Sequence, residues 1–345
     1  GYSLRATDVF GIGDLIVEDE GISIVLTGPD SADRYCHVCL MPHAKMINCK
    51  GCKMWSACAG CARSTLRDHQ SHCRIYADLP ALAEKCRTDP NLLRFLLNVM
   101  LASAEVRRAP AQPADADAAA RLARRALALK AFQCLQADAD AYPPTWYRGM
   151  HLACSALIQL ARKQLADLVQ PDDAESTFAG YDVALLVQTA ISINLTSFGL
   201  ADKDAPGSNF GVGLFPILGI LTHSCLPNTV FSSLDNGRMA LRALRPIEAG
   251  DRITAAFVDI FQSRQQRRDD LMQTKHVVCE CPRCDDEQYD VFPQDRFLDY
   301  PLCPKCKADV AFPESFLEEE EEGHGEDACT DDHGHGDHGH SHGDH

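Results

Sequence analysis

Between Cys36 and Cys73 the chain sets eight cysteine and histidine residues in pairs: Cys36-x2-Cys39, Cys49-x2-Cys52, Cys58-x2-Cys61 and His69-x3-Cys73. Few sequence features restrict a fold as tightly. A Zn²⁺ ion takes four thiolate or imidazole ligands in a tetrahedron, and a two-residue spacer lets one turn supply two of them. Eight ligands therefore make two closed sites, which implies structural zinc with no open position for chemistry. His72 is an alternative to His69 as the imidazole ligand. The segment has little apolar core of its own, so metal must supply its folding free energy.

The remainder can fold on its own apolar content. The chain has 345 residues, 46% of them hydrophobic, enough for one large domain or two ordinary ones. No window offers the roughly 18 apolar residues of a membrane span, and no secretory signal is visible, so no membrane partner is expected. With 17 cysteines, mostly in tight pairs, metal sites are expected over disulfides. A reducing compartment follows: cytoplasm, nucleus or both. The net charge is −16, but residues 318–345 carry 11 of the 49 acidic residues and no Lys or Arg, leaving the body near −5. Direct nucleic-acid binding is not expected of so mildly acidic a body.

A second concentration of signals lies at 211–259. A helix-like or buried apolar run, 214–221, ends in Thr222-His223-Ser224-Cys225-Leu226-Pro227-Asn228. Strand-like runs at 229–234 and 238–244 flank Asp235-Asn236-Gly237, a hairpin signal because Asn and Gly tolerate positive φ. A third strand is expected at 252–258. At the other end, 1–35 reads as a β-unit, with Gly11-Ile12-Gly13-Asp14 as a turn between apolar runs. Helical periodicity marks 92–101, 118–135, 146–168 and 181–191, with Asp89-Pro90 as a helix start. Cys86, Cys134 and Cys154 stand alone there and read as small buried hydrophobes. Cys279-x-Cys281-x2-Cys284 lacks a fourth ligand nearby. Cys303-x2-Cys306 is half a zinc site or an exposed loop. Residues 318–345, with seven of the 14 His, form a low-complexity acidic tail expected to be disordered.

His223-Ser224-Cys225-x-Pro227-Asn228, Gly1-Tyr2-Ser3-Leu4-Arg5-Ala6 and the paired cysteines resemble the SET-and-MYND family of protein lysine methyltransferases. The resemblance covers about 1–290. It implies an α+β chain: a SET-domain β-fold with an inserted MYND zinc finger, a helical insert and a zinc-bound post-SET segment. Its parts would be a SET N-terminal β-unit (1–35), the finger (36–73), the helical insert (77–190), the SET core (191–260) and the post-SET segment (261–290). A C-terminal extension (291–317) and the tail (318–345) follow. The family's interleaved pairing would give Cys36, Cys39, Cys58 and Cys61 one ion and Cys49, Cys52, His69 and Cys73 another. Cys225 would complete a third with Cys279, Cys281 and Cys284. The third pair departs from the family, where three residues usually separate those cysteines.

The resemblance also implies S-adenosylmethionine as cofactor, held near Ser3, Leu4, Arg5, Thr222 and His223. A channel would admit the target lysine of a protein substrate, histone or non-histone, past Phe198. Three departures fall in that pocket. Thr222 stands where the family has Asn, and Phe257 stands where it has the catalytic Tyr. Lys275 and Val277 replace an aromatic pair. Two functions therefore stay open. One is a lysine methyltransferase with a modified pocket. The other is a catalytically weak or dead SET protein, an interaction module or co-regulator whose finger takes Pro-rich peptides.

Overall fold

The computed structural model describes residues 3–285, apart from 28–30, 109–114, 134, 136–141, 203, 204, 206, 235 and 236, together with residues 295 and 298. Residues 1 and 2, the first two turn residues of the hairpin, Cys134, the Cys303/Cys306 pair and the tail lie outside the described residues. Gly1–Pro293 form one compact unit. No helix among the described residues is long and apolar enough to cross a membrane.

The strands are β1 (Leu15–Glu20), β2 (Ser23–Leu26), β3 (Ile47–Asn48), β4 (Ser56–Ala57), β5 (Ser197–Ala201), β6 (Asn209–Leu214), β7 (Thr222–His223), β8 (Thr229–Ser233), β9 (Arg238–Ala243) and β10 (Thr254–Ala255). The helices are α1 (Ser31–Arg34), α2 (Ala59–Cys86), α3 (Pro90–Arg108), α4 (Ala116–Gln133), α5 (Pro144–Gln164), α6 (Val183–Thr196) and α7 (Arg264–Lys275). Four small sheets result, in the orders β1-β9-β8, β2-β6-β5, β3-β4 and β10-β7. The first three are antiparallel and the last is parallel.

The expected hairpin is β8 and β9, which pair antiparallel from Thr229–Ala243 to Ser233–Met239. Gly237, at φ +67, supplies a left-handed residue of its turn. The expected third strand is a correction. Only Thr254–Ala255 of 252–258 is a strand, and it pairs with β7 rather than extending the hairpin. The apolar run 214–221 is a strand end and a 3₁₀ turn at Leu218–Ile220, not a longer helix. That turn is held from afar. The Asp19 carboxylate, on β1, accepts from the N–H groups of Ile217 (2.8 Å) and Leu218 (2.9 Å). Asp19 is only 4% exposed, and burial pushes its carboxyl up to about 6.

The helical insert also differs from its sequence reading. α2 runs unbroken from the finger into the insert, across the boundary expected at 73–77. Pro80 lies inside it, at a cost of about 3 kcal/mol for an interior proline. Ile75 and Leu79 are fully buried on its inner face, and each contributes about 1.5–3 kcal/mol. Their burial outweighs the proline, which sits on the exposed face. One apolar core unites α2, α3, α5 and α6 with residues of β2 and β6. A second lies under the β-sheets and gathers Phe198, Phe215, Leu221, Leu241, Ile253 and Ala255.

Candidate active site

Three tetrads of ligating side chains form, and within each the ligand atoms lie within 4.8 Å of one another. They are Cys36, Cys39, Cys58 and Cys61; Cys49, Cys52, His69 and Cys73; and Cys225, Cys279, Cys281 and Cys284. His69 rather than His72 joins the second. The cause is local: His69 and Cys73 stand four residues apart on α2, so they share a helix face. Trp55 stacks on the His69 ring at 4.5 Å and 9°. The Cys52 sulfur lies 3.5 Å from His69 Nε2, and the Cys49 and Cys73 sulfurs are 3.5 Å apart.

The donor sets fit zinc. Two sulfurs at the usual bond length on one tetrahedral Zn²⁺ stand about 3.8 Å apart, and Cys225 Sγ lies 3.9 Å from Cys279 Sγ and 3.5 Å from Cys284 Sγ. Side-chain hydrogen bonds with Cys279, Cys281 and Cys284 push the Cys225 thiol up, while bonds with Cys225, Cys279 and Cys284 hold the Cys281 thiol down. Four adjacent thiolates need a dication to coexist. The backbone closes in as well: a Cβ on Gly51 would stand 2.8 Å from Cys73 Sγ. Gly51→Ala is therefore expected to displace a ligand and release the second finger ion at a lower chelator concentration, as a metallochromic dye titration would record. An unchanged zinc-release curve would refute this placement.

The third tetrad ties distant parts of the chain together. α7 opens with a capping box, Ser263 and Gln266, and turns at His276 in the left-handed region. The fully buried Arg267 points Nη2 at Cys284 Sγ, 3.8 Å away, and Arg283 Nη1 donates to the Cys225 carbonyl at 3.2 Å. Arg268 Nη2 donates to the Cys284 carbonyl at 2.7 Å. Guanidinium groups beside a tetrathiolate offset its surplus negative charge.

The residues picked out for cofactor and lysine converge on one backbone stretch, 251–257. The Ala6 N–H donates to Asp251 O and the Ile253 N–H to Leu4 O, both at 2.9 Å. Arg5 thereby pairs with Arg252 as a non-hydrogen-bonded residue, its own N–H and C=O turned away from that stretch. Among the described residues neither group has a protein partner. Ser3 lies just before this pairing. The next residues, Thr254 and Ala255, pair with Thr222 and His223. Asn228 locks the crossing: its Oδ1 accepts from the Thr254 N–H at 2.8 Å and its Nδ2 donates to Arg252 O at 2.9 Å.

His223 is fixed in one tautomer by its neighbours. The Phe257 N–H donates to His223 Nδ1 at 3.0 Å, so the ring proton is on Nε2, 3.3 Å from Cys225 Sγ. Burial, chiefly, holds the imidazole down to about 4, so the ring is neutral at pH 7. His223 thus bridges the third metal tetrad and the aromatic pocket.

That pocket is built edge to face. Phe198 meets Phe231 at 5.1 Å, Phe257 at 5.9 Å and Phe215 at 6.5 Å, with interplanar angles of 79°, 73° and 72°. Phe198 on β5 stands opposite Gly213 on β6. A Cβ at Gly213 would lie 2.6 Å from the Phe215 ring, so glycine there leaves the ring its room. Lys275, last residue of α7, reaches into the same pocket. Its Nζ lies 5.7 Å from the Phe198 ring centre and 5.9 Å from that of Phe257. It donates to the Leu195 carbonyl, in the last turn of α6, at 2.7 Å. Sequence reading placed Lys275 in the pocket only as a lost aromatic. It missed Asp19, Gly51 and Arg267. The run of arginines at 264, 267 and 268 just before the last cysteines was the one available signal.

Comparison with known proteins accords with this geometry. The family model described as SET domain matches residues 1–257. Histone-lysine N-methyltransferase SMYD3 of Mus musculus is 24% identical over 292 residues, covering 84% of this chain and 60% of the relative. N-lysine methyltransferase SMYD2 of Homo sapiens is 24% identical over 294 residues, covering 82% and 58%. A SET and MYND domain-containing protein of Dictyostelium discoideum is 30% identical over 97 residues, covering 28% and 25%. Among solved structures, the SET domain of LSMT bound to lysine and AdoHcy aligns at 10% identity and a TM-score of 0.35, covering 80% of this chain and 50% of that one. The chain spans about 60% of the length of the full-length methyltransferases it matches. With its SET model match over most of the chain and its finger tetrads in place, the chain belongs to the SET domain family, as a SET-and-MYND protein.

Proposed function

We propose that the chain is an S-adenosylmethionine-dependent protein lysine N-methyltransferase with a modified pocket. One observation carries the reading. Leu4–Ala6 and Thr222–His223 pair along 251–255, and the same stretch runs on to Phe257, with Phe198 packed against it. The outward-turned N–H and C=O of Arg5 support a cofactor held by main-chain groups. The neutral His223 supports the same, since it adds no positive charge beside a cationic ligand. When bound, S-adenosylmethionine supplies the methyl group from a sulfonium.

The chain's own residues have two tasks. They must hold an amine in line, and they must keep it neutral. Lysine in water has a pKa of about 10.4, so the pocket must disfavour the charged form, which burial among apolar side chains does. Phe198 and Phe257 provide such walls, and His223 fixes the main chain of Phe257 through its Nδ1. The internal amine of Lys275 supports this account: burial pulls it from its ordinary value near 10.5 down to about 8. Alignment then comes from the walls, because positioning supplies much of the barrier reduction in a group transfer. In this reading the substrate is a protein lysine, histone or non-histone, in the cytoplasm, the nucleus or both.

A second reading rests on Phe257, which has no hydroxyl, and on Lys275 in the pocket. It makes the chain a non-catalytic interaction protein. The finger would then dock Pro-rich peptides, and the exposed apolar side chains Val38 and Ile47 on its surface support that use. Calorimetry with S-adenosylmethionine, followed by transfer of a labelled methyl group to a protein extract, separates the two. Binding with transfer is expected. Binding without transfer would favour the interaction protein, and no binding would overturn the enzyme reading.

A further inference from the structure

We propose that Lys275 is a built-in occupant of the lysine channel, filling from within the slot that a substrate lysine must enter. The proposal rests on the lysine-channel reading of Phe198 and Phe257 given above. Lys275 ends α7, and the left-handed His276 turns the chain away after it. Its amine approaches two aromatic rings at 5.7 and 5.9 Å, the distance at which a cation is held by ring faces. The carbonyl of Leu195 accepts from the amine at 2.7 Å. That carbonyl belongs to the last turn of α6, where the helix dipole favours a positive charge. Two aromatic walls with a carbonyl at the end make a site for one alkylamine.

A target lysine offers the same group, a primary amine on a linear alkyl stem. Two amines cannot share one carbonyl and one pair of rings, so an incoming lysine enters only when Lys275 leaves. The slot thus selects for substrates that bind strongly enough elsewhere to displace it. A helix-capping role alone would also explain the bond to Leu195. It would not require the amine to lie against both Phe198 and Phe257, beside their edge-to-face contact, and it predicts no vacancy for an alkylamine once Lys275 is cut back.

The test refills the slot. Lys275→Ala removes the side chain beyond Cβ, and n-propylammonium has the missing atoms. The full chain with its zinc is titrated with n-propylammonium chloride, with 1-propanol and sodium chloride as controls, while the melting temperature is followed. The alanine variant is expected to gain stability with n-propylammonium and with neither control. The wild-type protein and Lys275→Met, whose slots stay filled, are expected to show no gain. Equal shifts in all three proteins, or none in a folded alanine variant, would overturn the proposal.

Should the alanine variant not fold, wild-type labelling decides. Reductive methylation read by peptide mass spectrometry is expected to modify Lys275 at least about tenfold more slowly than exposed lysines, because reaction must await local opening. Labelling of Lys275 at the surface rate would refute the filled slot. No arm of this experiment uses S-adenosylmethionine. Failure to bind S-adenosylmethionine would therefore count against the methyltransferase reading while leaving the filled slot standing.

Discussion

Cys225→Ser is expected to lower the zinc content from three ions per chain to two and to open the segment from Ser263 to Asp285 to proteases. The Cys225 side chain is 1% exposed and lies between Cys279 and Cys284. Without it the ion keeps three ligands, and the small cluster of Leu271 with the cysteines loses its centre. Apparent free energies for structural zinc in finger peptides are about 10–16 kcal/mol at pH 7. A whole domain is stable by about 5–15 kcal/mol, so metal is not a minor contribution. Exhaustive chelation should go further and unfold 36–73, whose own cluster consists largely of the ligands with Ala57, Ala62, Met46 and Trp55. Elemental analysis after dialysis and timed proteolysis are the measurements. Three ions retained by Cys225→Ser, with unchanged cleavage, would exclude the link between the knot and α7.

The second large effect concerns Phe257. In a Lys275→Ala background, Phe257→Tyr is expected to raise single-turnover methyl transfer to lysine by about 10²–10³, the range for one preorganised polar group at a reacting centre. That is about 3–4 kcal/mol of barrier. Tyrosine keeps the ring and its edge-to-face contact with Phe198, so cofactor affinity should change little. The added hydroxyl would project from a ring beside Lys275 Nζ, among side chains that exclude water. The alanine background is needed because the wild-type amine stands in the same slot. Fast transfer by the unmodified protein would show that the chemistry does not use a hydroxyl at this position. A double variant that binds cofactor yet stays silent would place the defect at Thr222, testable by Thr222→Asn added to the pair.

Local pattern carried much of the fold. Spacing marked the cysteines of the finger and of the post-SET run, because a short gap between thiols is set by the geometry of the ion and not by the surroundings, while it left His69 and His72 as alternatives and only the resemblance supplied Cys225. The sets into which the ligands fall came from the family resemblance, and the tertiary structure assembles the same three. The β8–β9 hairpin was legible from Asn-Gly, and α3, α5 and α6 from their periodicity. Each of these signals lies within about one turn or one hairpin of sequence.

Tertiary structure decided what no window contains. α2 passes through Pro80 because Ile75 and Leu79 find a buried face to fill, a gain the local sequence does not display. Thr254–Ala255 leaves the hairpin sheet because Thr222–His223 runs parallel beside it, and parallel pairing joins segments with no shared turn. Asp19 reaches a turn 198 residues away, and Lys275 a carbonyl 80 residues away. A buried carboxylate or amine is costly unless the fold brings it a partner. Sequence alone set the cysteines of the finger and of the post-SET run, the hairpin and most of the helices, since those depend on spacing. Only the folded chain set which lysine fills the aromatic slot, since that depends on where two distant helices end.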